Sequence, residues 1–204
     1  MNPNPAGSPQ HYPAPGPSPY ATQQPGPYAP PQPPAPADRG KAGTALLLVS
    51  TILMGLMAGL FFAFDVSVMP GLAAGDERTY ITAMQNFNAA IDGNAVFGMA
   101  FVLALLTSAA SAIVEFRKGR RTVAIWVGAA TAAYFLVLMI TFSVNIPLNN
   151  ELADAGDAAK LTDFSIVDKF KDTWAATNIV RTLLCTAALT ALSRALVLYG
   201  RATR

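Results

Sequence analysis

Four apolar stretches dominate the pattern along the 204-residue chain: 44–64, 94–114, 122–144 and 179–199. Each is about 21–23 residues long, which at 1.5 Å per residue matches a hydrocarbon core of roughly 30 Å. The first starts too late, runs too long and lacks the short basic leader of a cleaved signal peptide. Between the first two spans, residues 76–91 place Tyr80, Met84, Phe87 and Ile91 at helical spacing, with acids in the first turn and Gly93 just beyond the end. That pattern predicts an amphipathic helix outside the bilayer. Val167, Phe170 and Trp174 repeat the spacing before the fourth span, and no breaker separates them from it. One continuous helix over 163–199 is therefore expected, on the order of 55 Å long. Residues 1–40 carry no such periodicity. The expected architecture is all-α: an integral membrane four-helix bundle (41–204) with an amphipathic outer helix and a disordered Pro-rich N-terminal tail (1–40).

Small residues indicate which faces meet, because apolar bulk alone does not drive helices together in lipid. Gly55 and Gly59 form a GxxxG in the first span; Ala104, Ser108 and Ala112 line the second. Gly128 and Ala132 mark the third, and Ala187, Ala191 and Ala195 the fourth. A homodimer through Gly55 and Gly59 is the alternative use of that motif. The first and third spans also end alike, in Phe64-Asp65-Val66-Ser67-Val68-Met69-Pro70 and Phe142-Ser143-Val144-Asn145-Ile146-Pro147. Either a duplicated hairpin or a coincidence of prolines at helix ends accounts for the likeness.

Composition supports the membrane reading: 52% of residues are hydrophobic, 13% are charged and the mean hydropathy is +0.36. Soluble domains carry near a quarter charged residues, so a soluble globule, a coiled coil and a disulfide scaffold are excluded. The segment 1–37 holds 14 of the 16 prolines and no charge, a polyproline-favouring composition with nothing to form a core. It reads as a solvated spacer or, through the PxxP of Pro33 and Pro36, as a docking segment for a cytoplasmic partner. Charge distribution orients the chain. Eight Lys and Arg (Arg39, Lys41, the 117–121 loop, Arg201, Arg204) lie on one side, whereas the long loops hold four against ten acids. By the positive-inside rule both termini are cytoplasmic, in the cell membrane, with the acidic loops outside. Membrane lipids are the expected surroundings, and no nucleic-acid partner is expected.

Polar side chains gather at the outer ends of the spans: Asp65, Asn94, Asn145, Asn149, Trp174, Asn178 and Arg181. The intervals 174, 178 and 181 share one helix face, and Pro147 between the two asparagines frees backbone carbonyls. Converging in a bundle, these residues would make a polar pocket with an aromatic wall. Their plainer uses are helix caps, an interfacial tryptophan, a lipid-phosphate contact for Arg181 and a cap or ion pair for Asp65. His11 is the lone histidine and lies in the tail, so histidine-ligated haem or iron is not expected. No acid pair within the spans supports a di-iron centre, and Cys185 reads as a packing residue. No metal and no cofactor are expected.

From 46 to 198 the chain resembles the anthrone oxygenase-like family of four-span membrane proteins, whose bacterial members form a domain of unknown function. The likeness rests on Gly59-Leu-Phe-Phe-Ala-Phe-Asp-Val-Ser-Val-Met-Pro-Gly-Leu72, on Met84-Gln-Asn-Phe-Asn-Ala-Ala-Ile91, on Val144-Asn-Ile-Pro-Leu-Asn-Asn-Glu-Leu152, and on Trp174, Asn178 and Arg181. Fungal members oxidise anthrones to anthraquinones, so the resemblance implies metal-free oxidation of a lipophilic aromatic small molecule. On that reading Asn145, Asn149 and Asn178 are donors and Arg181 is the electrostatic stabiliser. Trp174 forms the aromatic wall, with Asn94 and Asp65 binding substrate. The base is unassigned, with Asp65 a candidate. The competing class is a non-catalytic membrane scaffold that binds lipid or a partner protein. A deep aromatic-lined cavity between the outer helix ends would favour the enzyme, and a packed polar knot the scaffold.

Overall fold

The computed structural model describes residues 41–203, and every regular element among them is helical. The expected tail, 1–40, lies outside the described residues. The helices are α1 (Lys41–Ala63), α2 (Met69–Ala73), α3 (Glu77–Asp92), α4 (Ala95–Arg117), α5 (Arg121–Ile140), α6 (Ile146–Asp154) and α7 (Ser165–Ala202). Four are long and apolar enough to cross a membrane, counting α1 with α2 and α5 with α6 as single rods. Each long helix packs chiefly on its chain neighbour, and α7 closes the ring against α1. The result is an up-and-down four-helix bundle of a multi-pass membrane protein. Large apolar side chains such as Leu48, Ile52, Leu106 and Ile125 point outward, the arrangement that lipid requires and water forbids. The continuous helix expected over 163–199 is present as α7, whose 38 residues extend for about 57 Å.

Two spans do not stop where the sequence pattern predicted. The first was expected to end at 64 and the third at 144, before Pro70 and Pro147. Instead each rod passes through its proline by way of a five-residue π-helical segment, Phe64–Val68 and Thr141–Asn145. A proline ring collides with the carbonyl four residues back, here Val66 and Ser143, and both carbonyls sit inside the π segments. Widening the turn moves them aside. The ladder reconnects five residues apart, Met69 N–H to the Phe64 carbonyl and Ile146 N–H to the Thr141 carbonyl. The likeness noticed between the two stretches is thus a shared local geometry, with the π segment ending two residues before the proline in both.

The rods extend the bundle at the end that carries the long loops, and α3 packs across them. Asp76 caps α3 by accepting from Thr79 N–H at 2.8 Å, and Gly93 closes it. Tyr80 and Met84 are buried as expected, joined by Ile81. Phe87 is 39% exposed and Ile91 only half-buried, because the lower part of α3 leans over a cavity rather than a filled core. Met69, Leu148, Leu152, Val167 and Phe170 complete this second apolar core, and each such side chain taken out of water contributes about 1.5–3 kcal/mol. The Tyr80 hydroxyl donates to the Met69 sulfur at 4.0 Å, and burial, with the Asp172 charge adding to it, pushes its pKa up to about 12.

Small residues meet the bundle interior at Ala104, Ser108, Ala130, Ala188, Ala191 and Ala195. Gly59, Ala132 and Ala187, expected in the contacts, face outward instead. At the opposite, short-turn end, Glu115 is fully buried and held two-pronged by Arg120, whose guanidinium lies 4.9 Å over the Tyr199 ring. Gly43 is required beside them, since a Cβ there would stand 2.9 Å from Glu115 Oε1.

The Asp76 cap gives α3 a defined acid sensitivity. Hydrogen bonds from the Thr79 backbone and hydroxyl hold its carboxyl below the ordinary value of 3.8. A carboxylate depressed on folding contributes fully above that ordinary value, and the contribution disappears as pH falls through the depressed one. Hydrogen exchange at amides 79–83 should therefore accelerate below about pH 4 relative to a pH-corrected reference. Asp76→Asn keeps an accepting oxygen that does not titrate, so its profile should be flat; identical profiles for the two proteins would contradict the cap's role.

Candidate functional site

The loop end of the bundle is tied together by one cation. Arg181 of α7 is 4% exposed, and its guanidinium lies between two aromatic faces, 4.5 Å from the Phe61 centroid and 5.2 Å from Trp174. One terminal nitrogen donates to Asn178 Oδ1 at 2.8 Å, and the other reaches Thr141 Oγ1 at 3.3 Å. Asn178, one turn earlier, passes the contact on. Its amide nitrogen donates to the Phe61 carbonyl at 2.9 Å and to Asp65, and the second oxygen of Asp65 accepts from Thr182. Arg181 and Asp65 are thus linked through an amide and do not form a direct ion pair.

Both π segments contribute polar groups to α7, the second adding Asn145 to the Thr141 already named. Asp65 comes from the first; Asn145, 1% exposed, comes from the second and donates to Thr177 Oγ1 at 2.9 Å. Thr177 spends its own proton on the Thr173 and Trp174 carbonyls, so Asn145 must present N–H to it and turn Oδ1 the other way. Trp174 is fixed by its indole N–H, which donates to Asn149 Oδ1 at 2.9 Å, and by stacking on Phe170.

These groups wall a cavity of about 160 Å³, room for on the order of ten waters. Phe61, Phe64, Phe97, Phe101 and Trp174 give it aromatic walls, and α3 overhangs it with Asn88, Ile91 and Asp92. Phe142 and Asp92, both exposed, mark its rim. Its polarity is unusual in one respect. Buried polar atoms normally find partners, yet Arg181 Nε, Asn145 Oδ1 and Asn88 Nδ2 have none, and all three belong to cavity-lining residues. Two donors and one acceptor therefore stand unused around one space. Among the described residues, no three His, Cys, Asp or Glu side chains come together.

A family model described as anthrone oxygenase matches residues 87–191, just over half of the chain. The chain belongs to the anthrone oxygenase family. No curated protein and no solved structure matches it. The matched stretch starts within α3 and ends within α7, so it takes in every cavity-lining residue of this anthrone oxygenase family member except those of α1 and its π segment.

Of the seven residues singled out in the sequence, five line the cavity: Asn145, Asn149, Trp174, Asn178 and Arg181. Asn178 arrives with both amide hydrogens engaged. Asp65 borders a separate shallow groove beside Pro70 and Lys171 and reaches the cavity only through Asn178. Asn94 is exposed and caps α4 by accepting from Phe97 N–H at 3.1 Å. Asn88 and Asp92 were passed over in the sequence, although Asn88 stands inside a motif that carries the family likeness. Their signal was an i, i+4 polar pair, Asn88 within the predicted amphipathic helix 76–91 and Asp92 one residue past its predicted end.

The amide relay predicts graded effects at Asp65. Asp65→Ala leaves Thr182 without its acceptor and Asn178 with the Phe61 carbonyl alone, and removes the carboxylate linked to Arg181 through that amide; thermal or denaturant unfolding in detergent should lose about 1.5–3 kcal/mol. Asp65→Asn can still accept from Asn178 while the Thr182 hydroxyl reverses, so its loss should be smaller. Wild-type stability in Asp65→Ala would show that the relay carries nothing.

Proposed function

We propose that this protein oxidises a lipophilic aromatic ketone of the anthrone type, with molecular oxygen as oxidant, in the cavity beside Arg181. The observation that carries the reading is the set of unpartnered polar atoms on residues that line a cavity walled by five aromatic rings. A fused-ring ketone supplies what the walls lack: flat faces for Phe and Trp, and an oxygen acceptor for Arg181 and Asn88. With the ketone oxygen at Arg181, loss of a proton from the benzylic CH₂ puts negative charge on that oxygen, where a fixed cation in a water-poor site stabilises it most. The carbanion gives one electron to O₂; the carbon radical and superoxide join in a C–O bond, and the peroxide takes up a proton. Cleavage of its O–O bond with loss of the second C–H proton releases water and leaves a carbonyl. In sum, CH₂ and O₂ become C=O and H₂O. Asn145 and Asn149 serve as further polar contacts, Trp174 as the wall, and Asn178 and Asp65 hold Arg181 in place.

Purified protein incubated with an anthrone and oxygen should form the anthraquinone faster than the spontaneous reaction. Arg181→Ala should lower the rate about 10²–10³-fold, and Asn145→Ala by less. Turnover no faster than the background, or equal in both variants and wild type, would sink the oxygenase reading. The scaffold reading would then stand, supported by the mutually satisfied Asp65, Asn178 and Thr182, which bind α1 to α7 without any substrate.

The orientation belongs to the same proposal. Both termini are assigned to the cytoplasm of the cell membrane, with the cavity at the outer leaflet among membrane lipids. The Pro-rich tail is then offered to cytoplasmic partners, and a homodimer through Gly55 and Gly59, of which Gly59 faces outward, is left available. Lys160→Cys should react with a membrane-impermeant maleimide on intact cells while Thr203→Cys should not; the reverse pattern inverts the topology.

A further inference from the structure

The oxidation proposed above needs a base, and we infer that Asp92 is that base. The inference rests on the oxygenase reading and adds to it the group that starts the reaction. Among the described residues, Asp92 is the one carboxylate that lines the cavity, and Arg181 is the one cation. The other acid of the neighbourhood is unsuited: both oxygens of Asp65 accept hydrogen bonds, from Asn178 and Thr182, and it borders a different groove.

The position of Asp92 is built into the fold. It is the last residue of α3, in line with Gln85 and Asn88 along the edge of the buried face formed by Tyr80, Ile81 and Met84. Gln85 pins this edge by donating to the Leu152 and Gly156 carbonyls at 2.8 and 3.0 Å. Gly93 then ends α3, and the Asn94 cap starts α4, so the corner immediately after Asp92 is held on both sides. Arg181 is buried at the inner wall and Asp92 is exposed at the rim. A flat ketone entering with its oxygen toward the guanidinium turns the opposite, acidic carbon of its central ring toward the mouth. There the C–H bond breaks, the proton goes to an Asp92 oxygen, and the electron pair moves through the ring onto the ketone oxygen beside Arg181. The same proton is later available to the peroxide, which returns Asp92 to its starting state. Burying the cation while leaving the base at the rim keeps the two charges apart, so neither is spent on the other before substrate arrives.

Proton transfer can be separated from oxidation by working without oxygen. In anaerobic D₂O, wild-type protein should catalyse deuterium uptake at the benzylic CH₂ of an anthrone, read by mass spectrometry. Binding is read separately by quenching of tryptophan fluorescence. Asp92→Asn should bind the anthrone with unchanged affinity and lose about 10²-fold or more of the exchange rate. Asp92→Ala should regain exchange on addition of formate, which can reach an exposed rim; a merely structural role for Asp92 would not respond to formate. Wild-type exchange in Asp92→Asn would overturn the assignment of Asp92 and leave the oxygenase reading intact. If wild-type protein neither binds the anthrone nor exchanges its proton, the oxygenase reading fails and the assignment fails with it.

Discussion

A guanidinium buried among apolar helices gives up most of its hydration, and the cost of that loss shapes the whole loop end of this protein. Charged side chains inside a membrane bundle persist only where neighbours replace hydration. Arg181 obtains that replacement for its two terminal nitrogens and its flat faces: two aromatic rings, a threonine hydroxyl from the second π segment, and an amide on its own helix that leads to a carboxylate on the first rod. Phe61 belongs to α1, Thr141 directly follows α5, and Trp174 and Asn178 share α7 with the cation, so seating it fixes α1, the α5–α6 rod and α7 relative to one another. The bundle's far end depends on a separate buried ion pair, Glu115 with Arg120, which leaves the geometry near Arg181 free to serve a site.

The two prolines take part in this arrangement. An ideal helix carried through Pro70 or Pro147 would clash with its own carbonyl, and a helix stopped there would leave α3 nothing to pack on. The π segments resolve both demands. They let the rods continue into the second apolar core, and the same widened turns hold the polar groups Asp65, Thr141 and Asn145 that reach α7. Irregular helical turns are tolerated in a membrane protein where they line a cavity or find partners, and both conditions hold here.

Element existence was legible from hydrophobic periodicity because lipid imposes it bluntly: four spans, one amphipathic helix and one long final helix each follow from spacing and length. The helix ends were harder. A proline near a span end reads as a stop, and only the pairing of two similar stretches hinted at a common way through. Site residues on α7 and after Pro147 were recognisable because polar groups at 174, 178 and 181 share a face. Asn94 and Asp65 were grouped with them by depth alone, and depth along the bundle does not say which way a side chain turns. Asn88 and Asp92 failed to stand out for the opposite reason. On an amphipathic helix outside the spans, two polar residues look like an ordinary wet face, and what sets them apart is the overhang of α3, a tertiary fact.

The amide between Arg181 and Asp65 bears on what the cation can do. In a direct ion pair the carboxylate would sit within about 4 Å of the guanidinium, where opposite charges cancel each other's field most strongly. Interposing Asn178 lengthens that separation while both charges keep good hydrogen bonds, since the amide oxygen accepts from one and its nitrogen donates to the other. Seating the Arg therefore does not neutralise it. Its Nε–H still lacks a partner, beside a cavity with Phe61, Phe64, Phe97, Phe101 and Trp174 on its walls. On the proposed reading, charge left over in this way is what an enolate oxygen would complete. A scaffold would need no such remainder, and a salt bridge would serve it as well. The relay costs an extra side chain and contributes no packing that a direct pair would lack, so its use is best understood at the face it leaves open.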